Sequence, residues 1–484
     1  MGTVVSLVKK EKTITLNLLP KYITSAGKIA TALFLMLFSF SVLAKEYSVH
    51  SAEELRKLTL DPGDRVILEE GDWVDQPLIF KGLGTAENPI TLTAEDPGTV
   101  VLTGSSSLVI DGSWLIVDGL SFKDGYTLKE NVISFSEQSD HCRLTNTSII
   151  DYNNPDIKVR NSWVVLYGIK NRVDHCYIKG KTHVGTTIGV YVSDEPNYHR
   201  IDHNYFDGRP PLGRNGGEII RMGTDQWSMY DSHTTVEENI FTHCDGEIEI
   251  VSNKSTKNTI RNNLFYESAG MLTLRHGNKA LVYGNYFIGN QKEGTGGIRI
   301  IGEEHKIYNN HLYGLTGTGL SAAITFMNAW KNPPLYGYWQ VKNVEVKNNT
   351  IISCRESIVV GSGKNAKTIL PPLNTVVSNN IIVTKTPIIT WTEPAAKHPE
   401  NIKFENNVAY GMAKGEYPEG IEIKDPELEI NTFGLYEQKE GKRKIGAQLT
   451  AETHIKLFNA KNAGPSWMNL EREFWIKTKQ KNIL

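Results

Sequence analysis

A six-residue signature recurs along this chain: apolar, any, polar, Asn or Cys, any, apolar. It reads Val173-Asp174-His175-Cys176-Tyr177-Ile178 and Ile201-Asp202-His203-Asn204-Tyr205-Phe206, and returns around Asn239, Asn263, Asn285, Asn310, Asn349, Asn380 and Asn407. From Cys176 onward the intervals are 28, 35, 24, 22, 25, 39, 31 and 27 residues. A unit this short cannot bury its own apolar face, so successive units must stack on one another. The shorter intervals suit one coil of a parallel β-helix, and the longer ones a coil with an inserted loop. A propeller would need a steadier and longer period. The asparagines suit bends between strands, because Asn tolerates left-handed backbone and can hydrogen-bond along the stack. The expected fold is therefore all-β: a single-domain parallel β-helix, a solenoid that escapes the usual limit on domain length.

An open solenoid needs covered ends. Ser51-Ala52-Glu53-Glu54 is a capping box and predicts a short helix through about Leu58. Residues from about 410 to 484 lose the Asn signature and read as a C-terminal cap, with helical stretches near 450–460 and 467–477. Ahead of the solenoid, residues 29–44 form an apolar run behind Lys28 that ends in Val42-Leu43-Ala44. Its length and small terminal residues fit an export signal better than a membrane span, which needs roughly 20 apolar residues. The division expected is a signal peptide over 1–44 and a β-helix domain over 45–484. The protein is then exported, periplasmic or secreted, with no stable membrane anchor. Met1-Gly2 with Ser6 matches a myristoylation string, but an export signal behind it makes that match fortuitous.

The whole chain carries a net charge of −2; residues 1–44 hold five Lys and one Glu, so removing their +4 leaves −6. An acidic protein without a basic stripe does not bind nucleic acid through bulk charge. An anionic substrate must meet a local cationic cluster or a metal. The four cysteines (Cys142, Cys176, Cys244, Cys354) include no CxxC pair, which argues against a zinc knuckle. Burial as small residues in the stack is the expectation, rather than disulfides.

The chemistry concentrates in Gly-Glu-Ile-Glu-Ile-Val-Ser-Asn-Lys at 246–254 and Leu-Arg-His-Gly at 274–277. Glu247 and Glu249 are two apart in a β-rich run, a spacing that puts both carboxylates on one face of a strand. Two such carboxylates repel unless a proton or a cation sits with them. Asn215 and Glu218 lie about one long coil earlier, and coils stack about 4.8 Å apart. The oxygen-only set Asn215, Glu247 and Glu249, with Glu218 as a possible fourth member, suits Ca²⁺ best among common cations. Arg275 and His276 are expected one 24-residue coil beyond Val251 and Ser252, and Arg299 a further 24 along, so that one column lines a groove. Arg299 alternates with Ile298 and Ile300 and so faces away from the core. Arg221 is placed either against Glu218 or on a polymer.

The strings NGGEIIRMG (215–223), EIEIVSNKS (247–255), LRHGN (274–278) and GGIRIIG (296–302) closely resemble polysaccharide lyase family 6, which contains alginate lyases and the dermatan-cleaving chondroitinase B. The resemblance covers roughly residues 45–470. It implies a right-handed parallel β-helix and a Ca²⁺-assisted β-elimination at a uronate. It puts Ca²⁺ on Asn215, Glu247 and Glu249, makes Lys254 the base and Arg275 the acid, and has His276 and Arg299 help hold substrate. The physics agrees: neutralising the uronate carboxylate makes its C5 proton removable, and neighbouring cations favour the neutral amine that a lysine base needs. Arg275 is harder to justify as a literal acid, because a guanidinium gives up protons poorly.

Glu218 and Arg299 match the alginate-cleaving members, which makes alginate the expected substrate and dermatan sulfate the alternative. A pectinase-type hydrolase would need paired aspartates, and Asp225, Asp231 and Asp245 show no such pairing. A non-catalytic β-helical carbohydrate-binding protein gives no reason for Lys254 and Arg275 beside a metal site. The aromatic segment 326–339, with Trp330, Tyr336, Tyr338 and Trp339, is either a sugar-stacking wall over the groove or a loop packed on its own solenoid.

Overall fold

The computed structural model describes residues 44–411, 417–432, 434–439, 445–448, 459–470 and 474. Its strands form three long parallel sheets of 14, 12 and 14 strands, and the chain visits them in rotation, one strand of each per coil. This is the expected parallel β-helix. One 14-stranded sheet runs from Glu46–Val49 to Ile402–Glu405, and the other from Gly71–Val74 to Ile421–Ile423. The 12-stranded sheet runs from Pro77–Leu83 to Ile389–Trp391, and it carries the site.

The recurrent asparagines form a continuous ladder inside the stack. Both the backbone N–H and the side-chain amide of Asn204 donate to Oδ1 of Asn239, each at 3.0 Å. The same pair of bonds repeats from Asn239 to Asn263, Asn285, Asn310, Asn349, Asn380 and Asn407. Each buried amide therefore satisfies a backbone donor that the turn leaves without a strand partner. The left-handed residue is the one before the asparagine: His203, Glu238, Asn262, Asn309, Asn348, Asn379 and Asn406 all have φ between 54° and 56°. The asparagine supplies the hydrogen bonds and its predecessor makes the bend, a division of labour that the expectation had merged in one residue.

Stacking extends to the apolar side chains. Phe206, Phe241, Phe265 and Phe287 lie face to face at 4.8, 4.7 and 4.6 Å. The four cysteines are buried free thiols, as their places in the repeat suggest.

Ser51 caps the helix Ala52–Lys57, accepting from the N–H of Glu54, while the Glu54 carboxylate accepts from His50 N–H. At the other end, Trp467 Nε1 donates to the carbonyl of Asn146, tying a C-terminal segment to an early coil. The helices expected near 450–460 and 467–477 fall largely outside the described residues. Within them, Ala460–Asn462 is a single 3₁₀ turn and 467–470 are turn and irregular backbone. The proposed leader over 1–44 lies outside them except for Ala44. Among the described residues, no helix is long and apolar enough to cross a membrane.

Candidate active site

Four adjacent strands of the 12-stranded sheet position the site: Ile220–Met222, Glu249–Lys254, Gly270–His276 and Thr295–Ile300. Their register pairs Arg221 with Ser252, Ser252 with Thr273, and Thr273 with Arg299. Arg221, Ser252, Thr273 and Arg299 therefore form one column, and Arg275 is not in it. Val251 pairs with Leu272 and Lys254 with His276, steps of 21 and 22 residues where 24 was expected. The pairing slips between Asn253 and Lys254, so Arg275 is an extra residue opposite none. A bulge of this kind re-aims side chains: Arg275 keeps the face it shares with Thr273 and lines the cleft with Lys254, and His276 is brought opposite Lys254.

A second slip falls between Glu249 and Val251. Glu247 lies in the bend before the strand rather than within it, and Ile248 between the two glutamates is exposed. The two carboxylates thus reach a common cleft by a bend and a bulge, not by simple strand alternation. That cleft has a volume of about 760 Å³, and its lining includes Asn215, Glu218, Glu247, Glu249, Lys254 and Arg275. A neighbouring depression of about 580 Å³ shares Asn215, Glu218 and Lys254 and adds Arg160, Tyr191, Arg221 and Trp227.

Glu247 Oε2 accepts from the N–H of Gly216 at 3.0 Å. Burial, then the nearby Glu218 and Glu249 carboxylates, push its pKa up to about 7. Glu218 is buried, and its Oε2 has no hydrogen-bond partner. Glu249 is bonded by Arg299 on one oxygen and by Ser252 Oγ at 2.5 Å on the other. Arg275 Nε stands 4.0 Å from the same carboxylate. Arg299 is 4% exposed, so it reaches a glutamate rather than the open cleft. Arg221 sits over the Tyr191 ring at 6.0 Å and makes no ion pair with Glu218 among the described residues.

These observations allow a test of the proposed cation. Among the described residues, no three His, Cys, Asp or Glu side chains already converge as a metal cluster, and both Glu249 oxygens have protein donors. Yet the orphaned Glu218 oxygen and the proton-seeking Glu247 mark a place short of positive charge, and every donor is a hard oxygen. The residues fit Ca²⁺ or a similar ion, with Asn215, Glu218 and Glu247 the freer donors.

His276 is buried, with Nδ1 3.4 Å from an Arg275 N–H and Nε2 3.2 Å from Asp225 Oδ1. Burial, then Arg275 and Lys254, hold its pKa down to about 3. Because Arg275 can only donate, Nδ1 is the acceptor and Nε2 carries the proton. The Nε2–Asp225 contact is close but poorly aligned for a hydrogen bond. We therefore treat it as electrostatic.

Sequence reasoning gave Asp225 no part in this site and left the aromatic segment between two readings. Asp225, considered only as a hydrolase acid, lies 3.7 Å from Lys254 Nζ as well as beside His276. It is brought in by an irregular loop that carries no pattern. The aromatic segment folds back over Arg275: the Tyr336 and Gly337 carbonyls accept from its guanidinium at 3.3 and 3.4 Å, and the Tyr338 ring lies 4.4 Å away. The base of that segment is a short antiparallel ribbon between Ala329–Trp330 and Thr368–Leu370.

A model of the chondroitinase B family matches residues 49–449. The chain belongs to polysaccharide lyase family 6. The family 6 alginate lyase AlyGC is 40% identical over 87% of this chain, with a TM-score of 0.82. This chain spans only 59% of that enzyme's length. A mannuronic acid specific family 6 lyase from human gut microbiota is 31% identical, covering 88% of this chain and 97% of its own, with a TM-score of 0.76. A family 6 polysaccharide lyase from Pseudopedobacter saltans is 28% identical over 87% of this chain and 99% of its own, with a TM-score of 0.72. No curated protein matches.

Proposed function

We propose that this family 6 protein is a polysaccharide lyase that cleaves alginate by Ca²⁺-assisted β-elimination. The observation that carries the reading is the meeting of Lys254 and Arg275 at one cleft, beside the under-neutralised glutamates. Lys254 Nζ takes the C5 proton of a uronate. The electron pair of that C–H bond forms the C4–C5 double bond as the C4–O bond breaks. Arg275 stabilises the departing oxygen, which takes a proton from it directly or through water. His276, neutral and with its proton on Nε2, fixes Arg275 through Nδ1. A bound Ca²⁺ would neutralise the uronate carboxylate and stabilise the charge that develops at C5. Asn215, Glu218, Glu247 and Glu249 would hold it.

Alginate is preferred because the similar lyases named above include an alginate lyase and a mannuronic acid specific enzyme. Dermatan sulfate is the second reading, favoured by the chondroitinase B family match. We also propose export, from the apolar run at 29–44. The test of the substrate is ultraviolet absorbance of the unsaturated product on each polymer, with Ca²⁺ and with chelator. A rise on dermatan sulfate alone overturns the alginate assignment while keeping the mechanism.

A further inference from the structure

Beneath the glutamate cluster lies a buried arginine that the elimination does not use. Arg209 ends the strand Tyr205–Arg209 and is 1% exposed. Its guanidinium is spent on backbone carbonyls of two segments. One nitrogen donates to Glu218 O at 2.6 Å and to Thr187 Oγ1 at 3.3 Å. The other donates to Gly216 O at 3.0 Å, Gly185 O at 2.8 Å and His183 O at 3.1 Å. Among the described residues no carboxylate pairs with it at ion-pair distance.

The two carbonyls at Gly216 and Glu218 flank the backbone that presents Asn215 and Glu218 to the cleft, and the N–H of Gly216 is the donor to Glu247. One side chain thus clamps this loop to the preceding coil. The local glycines make room for it. A Cβ on Gly246 would come within 2.8 Å of Arg209 Cδ, and one on Gly217 within 2.5 Å of the Gly246 carbonyl. Burial lowers the Arg209 pKa to about 10, which still leaves a cation at neutral pH. A positive charge beneath the Glu218 and Glu247 carboxylates also lessens their mutual repulsion.

We infer that Arg209 is a positioning residue that fixes the Asn215–Glu218 loop in the geometry that accepts a divalent cation. The role is distinct from catalysis, since Arg209 is sealed from the cleft. The part that concerns the cation rests on the reading of Asn215, Glu218, Glu247 and Glu249 as a Ca²⁺ cradle; the part that concerns the loop does not.

The experiment uses the full chain with Arg209→Met and Arg209→Lys, read in two ways. Amide hydrogen exchange without metal is expected to rise about tenfold or more at 183–187 and 215–219, with the Asn-ladder coils unchanged. Calorimetric titration with CaCl₂ is expected to show affinity falling at least tenfold in Arg209→Met and less in Arg209→Lys, which keeps the charge but fewer hydrogen bonds. At saturating Ca²⁺, kcat on the cleaved polymer should recover to within about threefold, which a generally unfolded variant would not do. Should Arg209→Met fail to fold, Arg209→Lys carries the same two readouts. Unchanged exchange at 215–219 overturns the inference. Raised exchange there, in a wild-type protein that binds no Ca²⁺, upholds the loop-positioning role and overturns the Ca²⁺ reading instead.

Discussion

Lys254 pairs with His276 across neighbouring coils, and the residue that the pairing skips is Arg275. That slip decides the site. Without it, Arg275 would sit directly opposite Lys254 on the face that Thr273 and Ser252 share, and His276 would fall on the other face. With it, the amine, the guanidinium and the imidazole occupy one layer of the stack.

Arg275 is held by two loop carbonyls, the Tyr338 ring and His276 Nδ1. Lysine cannot reproduce a planar fork stacked on a ring. Arg275→Lys is therefore expected to lower kcat about 10²-fold or more, with the circular dichroism of the fold intact. Activity within threefold of wild type would contradict this role.

Glu247 gives a pH dependence of known sign. Its folded pKa, about 7, lies above the ordinary value of 4.5. In metal-free protein the folded state therefore binds the proton more readily than the unfolded state between these values. Its destabilising effect is full above pH 7 and is relieved as pH falls toward 4.5. Glu247→Gln should remove that part of the stability profile in metal-free thermal melts. The same protonation competes with a cation, so Ca²⁺ affinity should fall as pH drops below 7.

His203 behaves in the opposite sense. Hydrogen bonds to Asp202 and Glu238 raise its pKa from 6.5 to about 9. Its contribution is fully present below pH 6.5 and is lost as pH rises through 9. His203→Asn, which keeps a residue tolerant of the left-handed turn, should cost roughly 1–2 kcal/mol at pH 6 after allowance for solvent screening. It should cost nothing above pH 10. Denaturant melts at the two pH values measure the difference.

The asparagine ladder predicts a stability effect away from the site. Asn263→Leu leaves the buried backbone N–H of Asn239 without its acceptor and takes the Asn263 amide away from the carbonyls of Val236 and Arg261, while the Asn239 amide keeps those of Ile201 and Glu237. The expected cost is about 2–4 kcal/mol, read as a lowered melting temperature. The catalytic rate of the folded fraction should be unaffected.

The repeat was legible because from Asn204 to Asn407 each Asn does the same thing in its coil: its amide bonds to the next, so the residue type holds there even where loop length varies, and Cys176 takes the place only where the ladder ends. Glu247, Glu249, Lys254 and Arg275 were legible as a set for a similar reason, since the family strings preserve local order. Their spatial arrangement was not. Counting residues placed Arg275 level with Val251, whereas the offset there is 21 residues, so Val251 meets Leu272, and the slip at Asn253 then adds one residue and sets His276 opposite Lys254. A bulge adds no residue type that marks it. Asp225, and the choice between the two roles open to the loop around Tyr338, were illegible for another reason. Asp225 and the loop enter from irregular segments whose path is set by contacts far along the chain.

The most direct test of the account is ultraviolet absorbance of alginate treated with wild-type protein and with Lys254→Ala, each in the presence of Ca²⁺. The account predicts a steady rise from the C4–C5 double bond with wild type and a loss of at least about 10²-fold in the variant. An undiminished rise with Lys254→Ala would show that the proton leaves by another route and contradict the central claim.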